Sequence, residues 1–204
     1  MNTHFNKLKD ILLPILEDND RVGIMLSGGF DSAVMSWCLC KIVLDNNLSN
    51  TITFYTSPRP DNSITHAENI SNAIQQDLDI NVKHKMRGDG KAHHSNQVWS
   101  GMLIAMNEND AVLTAETKVP EHMVADHFTR KVVNKQDFPT AFQPLINHTK
   151  DFTVAIAIEQ DLTFIMEMSH TCTETPNRRC ETCWWCRERQ WAFKENRYND
   201  PGTL

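Results

Sequence analysis

Arg21-Val22-Gly23-Ile24-Met25-Leu26-Ser27-Gly28-Gly29-Phe30-Asp31-Ser32 is the stretch from which the architecture is read. Arg21–Leu26 is a short apolar run and reads as a buried strand entering a tight turn at Ser27-Gly28-Gly29. From Asp31 to about Leu44 the chain is helical and apolar on most sides, as for a helix packed on a sheet. Two adjacent glycines let the backbone approach an anion closely and aim N–H groups into one concavity. The start of the following helix adds further N–H groups and a positive dipole end. Ser27 and Ser32 can donate to phosphate oxygens, and Asp31 makes sense beside phosphates if it helps to hold Mg²⁺. The glycine spacing and the missing Lys exclude a dinucleotide fingerprint and a Walker A loop. A plain capped strand-to-helix turn is the competing reading of these residues.

Outward from this turn, strands and helices alternate. Phe5, Leu8, Ile11, Leu12, Ile15 and Leu16 mark an opening amphipathic helix, with a disturbance expected at Pro14. Thr51–Thr56 reads as a strand, Ile64 to Leu78 as a helix with Thr65 and Glu68 spaced as a capping box, and Ile80 to Met86 as a half-buried strand. Val98 to Met106 is a helix and Ala111–Ala115 a strand. After a long irregular stretch Lys150–Glu159 looks helical and Leu162–Met168 strand-like. The pattern predicts an α/β fold, an open and mainly parallel sheet with helices on both faces. Ligands on such sheets bind beyond the carboxyl ends of the strands, so the loops after Leu26, Thr56, Met86 and Ala115 form the expected rim.

The 204 residues suffice for one domain with a small appendage. The expected division is a nucleotide-binding domain over 1–168 and a cysteine-rich segment with a terminal helix over 169–204. No stretch approaches the ~20 apolar residues of a membrane span. The opening MNTHFNKLKD lacks the apolar core of a signal peptide, and a cytoplasmic location is expected. A net charge of -6 argues against a generic nucleic-acid binder.

Cys172, Cys180, Cys183 and Cys186 crowd together near the end. In a reducing compartment this means metal more often than disulfides. Four thiolates can close a tetrahedral zinc shell, with Cys186 supplied from the first turn of a final helix. An iron–sulfur cluster and a redox pair fit the same residues. Arg178, Arg179, Arg187 and Arg189 are placed to offset the thiolate charge, and His170 reads as a neighbour of the site. Cys38 and Cys40 read as core. The final helix, basic and flanked by Trp184, Trp185 and Trp191, would suit a nucleic-acid face, but packing of the metal site explains it more economically.

The six residues SGGFDS resemble the SGGxDS loop of the PP-loop ATPase superfamily. With the cysteine quartet, Pro144-Leu145, Thr149-Lys150 and the Arg187 to Phe193 tail, the chain is similar in particular to the 7-cyano-7-deazaguanine (preQ0) synthases. The resemblance implies ATP and Mg²⁺ at Leu26, Ser27, Gly28, Gly29, Phe30, Asp31 and Ser32, and adenine near the end of the second strand at Tyr55. It implies Asp31, Ser32 and Lys150 as catalytic residues and Zn²⁺ on the four cysteines. It also implies a ligase reaction in which ATP activates the carboxylate of a deazapurine for attack by ammonia, giving an amide and then a nitrile, and a homodimer.

The sequence departs from this family after the fourth strand. The Tyr-Pro-Asp-Cys-Arg run expected to line the base pocket is replaced by Thr114-Ala115-Glu116-Thr117-Lys118-Val119-Pro120-Glu121-His122. Glu116 can read a guanine-like edge and Lys118 can hold a carboxylate, unless both are solvated loop residues. Asp89, His93 and His94 give a weak metal signal in a polar loop. Base thiolation, sulfonucleotide chemistry, or nucleotide binding without turnover are the other functions such a chain could have.

Overall fold

The computed structural model describes residues 3–58, 63–87, 94–124 and 132–202. The elements run α1 (His4–Glu17), β1 (Arg21–Met25), α2 (Phe30–Asp45), β2 (Thr51–Thr56), α3 (Ser63–Leu78), β3 (Lys83–Met86) and α4 (His94–Glu108). They continue with β4 (Ala111–Leu113), a 3-10 turn at Glu121–Met123, β5 (Ala141–Phe142), α5 (Lys150–Glu159), α6 (Thr163–Met168) and α7 (Trp184–Glu195). All five strands pair in parallel in the order β3-β2-β1-β4-β5. The order reverses between β1 and β4, which opens a crevice at their carboxyl ends.

Strand alternation divides the interior between the two faces. Val22, Ile24, Ile52, Phe54, Ala111 and Leu113 point into the larger core, which also takes in side chains from α1, α2, α3, α5, α6 and α7. Met25, Tyr55 and Val112 point the other way, into a smaller core with Met102 and Ala105 of α4. Gly23 lies on this second face, where a Cβ would come within 2.9 Å of Asn109 Nδ2 and 3.1 Å of the Tyr55 ring. Glycine there lets Asn109 donate to the Tyr55 hydroxyl at 2.9 Å and to the Ala105 carbonyl at 2.7 Å.

Pro14 lies inside α1, which continues to Glu17. Three sequence expectations are corrected. Thr65 sits inside the first described turn of α3 and so cannot be its N-cap. Leu162–Met168 is not a strand: Leu162, Ile165 and Met166 are buried at helical spacing, and 163–168 forms α6. A short apolar run does not distinguish the two states by period alone. The edge position beside β4 is filled instead by the two residues Ala141–Phe142, from the stretch read as irregular. Asp89 and His93 lie outside the described residues. No described helix is long and apolar enough to cross a membrane.

Candidate active site at the phosphate-loop turn

The turn after β1 is built by its own hydroxyls. Ser32 Oγ donates to the Gly29 carbonyl at 3.0 Å, accepts from the Ser27 N–H at 3.1 Å, and stands 2.9 Å from Ser27 Oγ. The Gly29 N–H donates to Ser27 Oγ at 3.3 Å. Gly28 has φ 78, a left-handed conformation that favours glycine. Gly29 is the N-cap of α2 and offers no side-chain cap, so the first-turn amides lie uncapped by a side chain at the positive end of the helix.

Asp31, in that first turn, is held from α5. Lys150 pairs with its Oδ2, and Thr153 Oγ1 donates to its Oδ1 at 2.7 Å. Lys150 is the first residue of α5 and is only 2% exposed. Both facts are unfavourable for an ammonium: a helix N-terminus repels it by roughly 0.3–1 kcal/mol, and burial costs several kcal/mol more. The Asp31 carboxylate and Glu188 of α7, whose Oε2 lies 3.5 Å from Nζ, offset that cost. Asp31 keeps 14% of its side chain exposed, whereas Glu188 has none. The solvent-facing member of the cluster is therefore the one in the phosphate-loop turn.

The other sequence-derived residues are placed differently. Leu26 is wholly buried, its N–H donating to the Tyr55 carbonyl at 2.8 Å and its carbonyl accepting from Thr56 Oγ1 at 2.6 Å. Phe30 turns inward against Phe193 and Arg189, so only its backbone lies at the turn. Tyr55 lies beneath α4 and donates to Glu108 Oε2 at 2.7 Å. Its ring still helps to line a small cavity of about 40 Å³ with Met25, Leu26, Ser27, Ser57 and Val98, at the carboxyl ends of β1 and β2. A larger cavity of about 300 Å³, lined by Cys40, Asn50, Thr51, Asn81 and Lys83 among others, opens at the opposite end of the sheet, remote from these loops.

Glu116 and Lys118 leave the carboxyl end of β4, across the crevice from the glycine turn, and both are exposed. Glu116 Oε2 accepts from Thr114 and, at 2.8 Å, from Gln143 Nε2. Lys118 lies 3.5 Å from Glu121. Beyond them, Trp184 Nε1 donates to the Met123 carbonyl at 3.2 Å, and His122 packs on Trp191 with ring centroids 5.2 Å apart.

The sulfurs of Cys172, Cys180, Cys183 and Cys186 all lie within 4.8 Å of one another, so this cluster can bind a metal ion. Cys183 caps α7, its Sγ accepting from the Cys186 N–H at 3.4 Å, and Cys180 Sγ accepts from the Cys183 N–H at 3.2 Å. The turn between them needs Glu181 at φ 61. Thr182 and then the Cys183 amide, donating to Cys180, hold that thiol down at about 6. Burial pushes the Cys186 thiol up to about 12. Metal coordination is what would make all four thiolates at neutral pH. Cys38 and Cys40 are buried and stand outside this cluster.

Arg189, expected to offset the thiolate charge, is bound to partners of its own. It is 1% exposed and binds Asp200 with two nitrogens, at 2.8 and 2.9 Å, while donating to the carbonyls of Ser169 at 2.8 Å and Met166 at 2.5 Å. It ties the C-terminal tail to the approach of the cysteine site. On that approach the His170 N–H donates to the Gly28 carbonyl at 2.9 Å, so the cysteine-bearing loop touches the glycine turn directly. The His170 ring stacks on His66 at 4.6 Å. Glu188, Thr153 and this His170 contact were not singled out as site features by the sequence reading. Only a charged residue on the inward face of an otherwise core-facing helix would have pointed to Glu188.

Residues 124–197 match the family model "Queuosine biosynthesis protein QueC". No curated protein matches the chain. Among solved structures, NMN synthetase from Francisella tularensis is similar at 16% identity, covering 96% of this chain and 86% of that one with a TM-score of 0.56. The U34-tRNA thiolase NcsA from Methanococcus maripaludis, with its [4Fe-4S] cluster, is similar at 14% identity, covering 95% and 73% with a TM-score of 0.52. FMN adenylyltransferase from Candida glabrata is similar at 15% identity, covering 96% and 73% with a TM-score of 0.54. The chain thus has the fold of the PP-loop ATPases, and its residues 124–197 carry the likeness to QueC.

Proposed function

We propose that this protein is a Mg²⁺- and ATP-dependent carbon–nitrogen ligase of the preQ0 synthase type, acting on the carboxylate of a 7-deazaguanine-like base. The observation that carries the reading is the union of two sites at one end of the sheet. The glycine turn, with Asp31 and Lys150 at its rim, is joined through His170 and α7 to the cysteine site within the segment that matches QueC.

A carboxylate oxygen leaves only after it has been phosphorylated or adenylated. The amides of Phe30 to Ser32, at the start of α2, would stabilise charge moving onto the phosphates, with the ammonium of Lys150 behind them adding to the positive field. Ser27 and Ser32 orient the triphosphate, and Leu26, Phe30 and Tyr55 form the frame beneath the nucleotide. Asp31 is the residue that would hold Mg²⁺, whose charge offsets that of the triphosphate. Glu116 and Lys118, across the crevice, are the candidates for the base edge and its carboxylate, with ammonia as the nucleophile.

The cysteine site suits one Zn²⁺. Sulfurs around a single zinc at 2.3 Å stand about 3.8 Å apart, and the four here already lie within 4.8 Å of one another. A [4Fe-4S] cluster places each thiolate on a different iron and spreads the sulfurs further. A thiolation enzyme is the second reading, favoured by the likeness to the tRNA thiolase. Against it, Cys38 and Cys40, the cysteines outside the cluster, are buried with thiols pushed up by desolvation.

The test is mass-spectrometric product analysis with Mg-ATP, ammonium and 7-carboxy-7-deazaguanine, with elemental analysis of the purified protein alongside. An amide or nitrile and one zinc per chain are expected. ATP cleavage without either product would move the substrate to another carboxylated base. Iron with acid-labile sulfide would turn the reading to thiolation.

A further inference from the structure

Glu188 is a wholly buried carboxylate belonging to neither the glycine turn nor the cysteine quartet. It projects from α7 to within 3.5 Å of Lys150 Nζ, on the lysine that also pairs with Asp31. Two carboxylates thus meet one ammonium, and they differ in what can reach them. Asp31 is the partly exposed partner, in the first turn of α2, where a cation accompanying a triphosphate would meet it. Glu188 has no route to solvent and cannot be drawn away.

We propose that Glu188 is a positioning residue that retains Lys150 when Asp31 turns to a divalent cation at the phosphate loop. The inference rests on the ATP reading above. With Glu188 present, Lys150 stays paired as Asp31 is recruited, and its remaining N–H groups are free to turn toward phosphate. Without Glu188, Asp31 is the only carboxylate within 4 Å of Lys150 among the described residues, and lysine and cation compete for it. Glu188 lies two residues beyond Cys186 on the same helix, so the cysteine site fixes the helix turn that carries it.

The experiment is calorimetric titration of the full chain with the non-hydrolysable analogue AMPPNP over a series of Mg²⁺ concentrations. Wild type is compared with Glu188→Gln, Lys150→Met and the double variant, with thermal melts and metal content recorded for each. Glu188→Gln is expected to raise the Mg²⁺ needed for half-maximal binding about tenfold, with near-normal affinity at saturating Mg²⁺. In the Lys150→Met background the same change should have no further effect, because Glu188 acts through Lys150. A merely structural role would lower the melting temperature in both backgrounds and leave the Mg²⁺ requirement alone.

An unaltered Mg²⁺ requirement in Glu188→Gln overturns the proposal, and so does an equal added loss in Lys150→Met. Should Glu188→Gln fail to fold, Glu188→Asp keeps the charge but withdraws it by one methylene, and an unchanged Mg²⁺ requirement there is equally decisive. Failure of wild type to bind AMPPNP at any Mg²⁺ concentration overturns the ATP reading itself and the positioning role with it.

Discussion

Removing the Asp31 carboxylate leaves Lys150 with Glu188, so the buried ammonium keeps a counter-charge. Breaking an isolated buried pair costs about 3–5 kcal/mol. Asp31→Ala is therefore expected to fold with a loss nearer about 1–2 kcal/mol, while ATP turnover falls by at least about a hundredfold. A melt and an ATPase assay on the same preparation check both, and full turnover would remove Asp31 from the reaction. Cys183→Ser separates two roles in the same way. Serine is a good N-cap, so α7 keeps its start, but a thiolate leaves the quartet. Bound metal per chain, measured by elemental analysis, should fall well below wild type, and unchanged content would mean that the quartet does not hold the ion.

At the scale of elements, the hydrogen-bond chain from β3 to the phosphate loop predicts a pH response. His84 Nε2 lies 2.8 Å from Thr56 Oγ1, which donates to the Leu26 carbonyl at the end of β1. Burial lowers the His84 pKa to about 4. Between that value and the ordinary 6.5 the unfolded chain binds a proton that the folded chain refuses, so this contribution is complete above about pH 6.5 and is lost as pH falls toward 4. Denaturant melts from pH 7 to 4 should show this loss, and His84→Gln should flatten it. Glu108 acts in a lower window. Lys85, then Tyr55, hold its carboxyl down at about 2, so its contribution disappears only as pH falls from about 4.5 toward 2.

The elements also show what was legible beforehand. β1, the glycine turn and α2 were readable because an apolar run, two glycines and an all-round apolar helix each admit one local solution. α6 was misread because its six residues are too few for either period to declare itself. β5 was invisible because two residues carry no period at all. In the site, Asp31 and the cysteines stood out by motif and spacing. Glu188 did not, since its role depends on a lysine brought beside it from another helix. Arg189 was read as offsetting the thiolate charge because nothing local announces that Asp200 folds back over it.

For the molecule as a whole, two paths join the cysteine site to the phosphate loop. One passes from Cys186 along α7 to Glu188, Lys150 and Asp31. The other passes from Cys172 Sγ, 3.3 Å from Thr175 Oγ1, through the His170 ring bonded to the Thr175 carbonyl at 2.7 Å, to the His170 N–H on Gly28. Gly28 cannot shift its carbonyl without losing that bond, and α7 cannot shift without moving Glu188. Stripping the metal should therefore weaken nucleotide binding as well as fold stability, although no cysteine belongs to the glycine turn. Linkage requires the converse by the same factor: AMPPNP with Mg²⁺ should slow or weaken metal loss to a chelator. A coupling of about 1–2 kcal/mol, roughly five- to thirtyfold, is the expected size. It is measured by nucleotide affinity with and without metal in protein that is still folded by circular dichroism. Equal affinities would mean that the cysteine site only staples the tail and that the two centres share one end of the sheet without sharing a state.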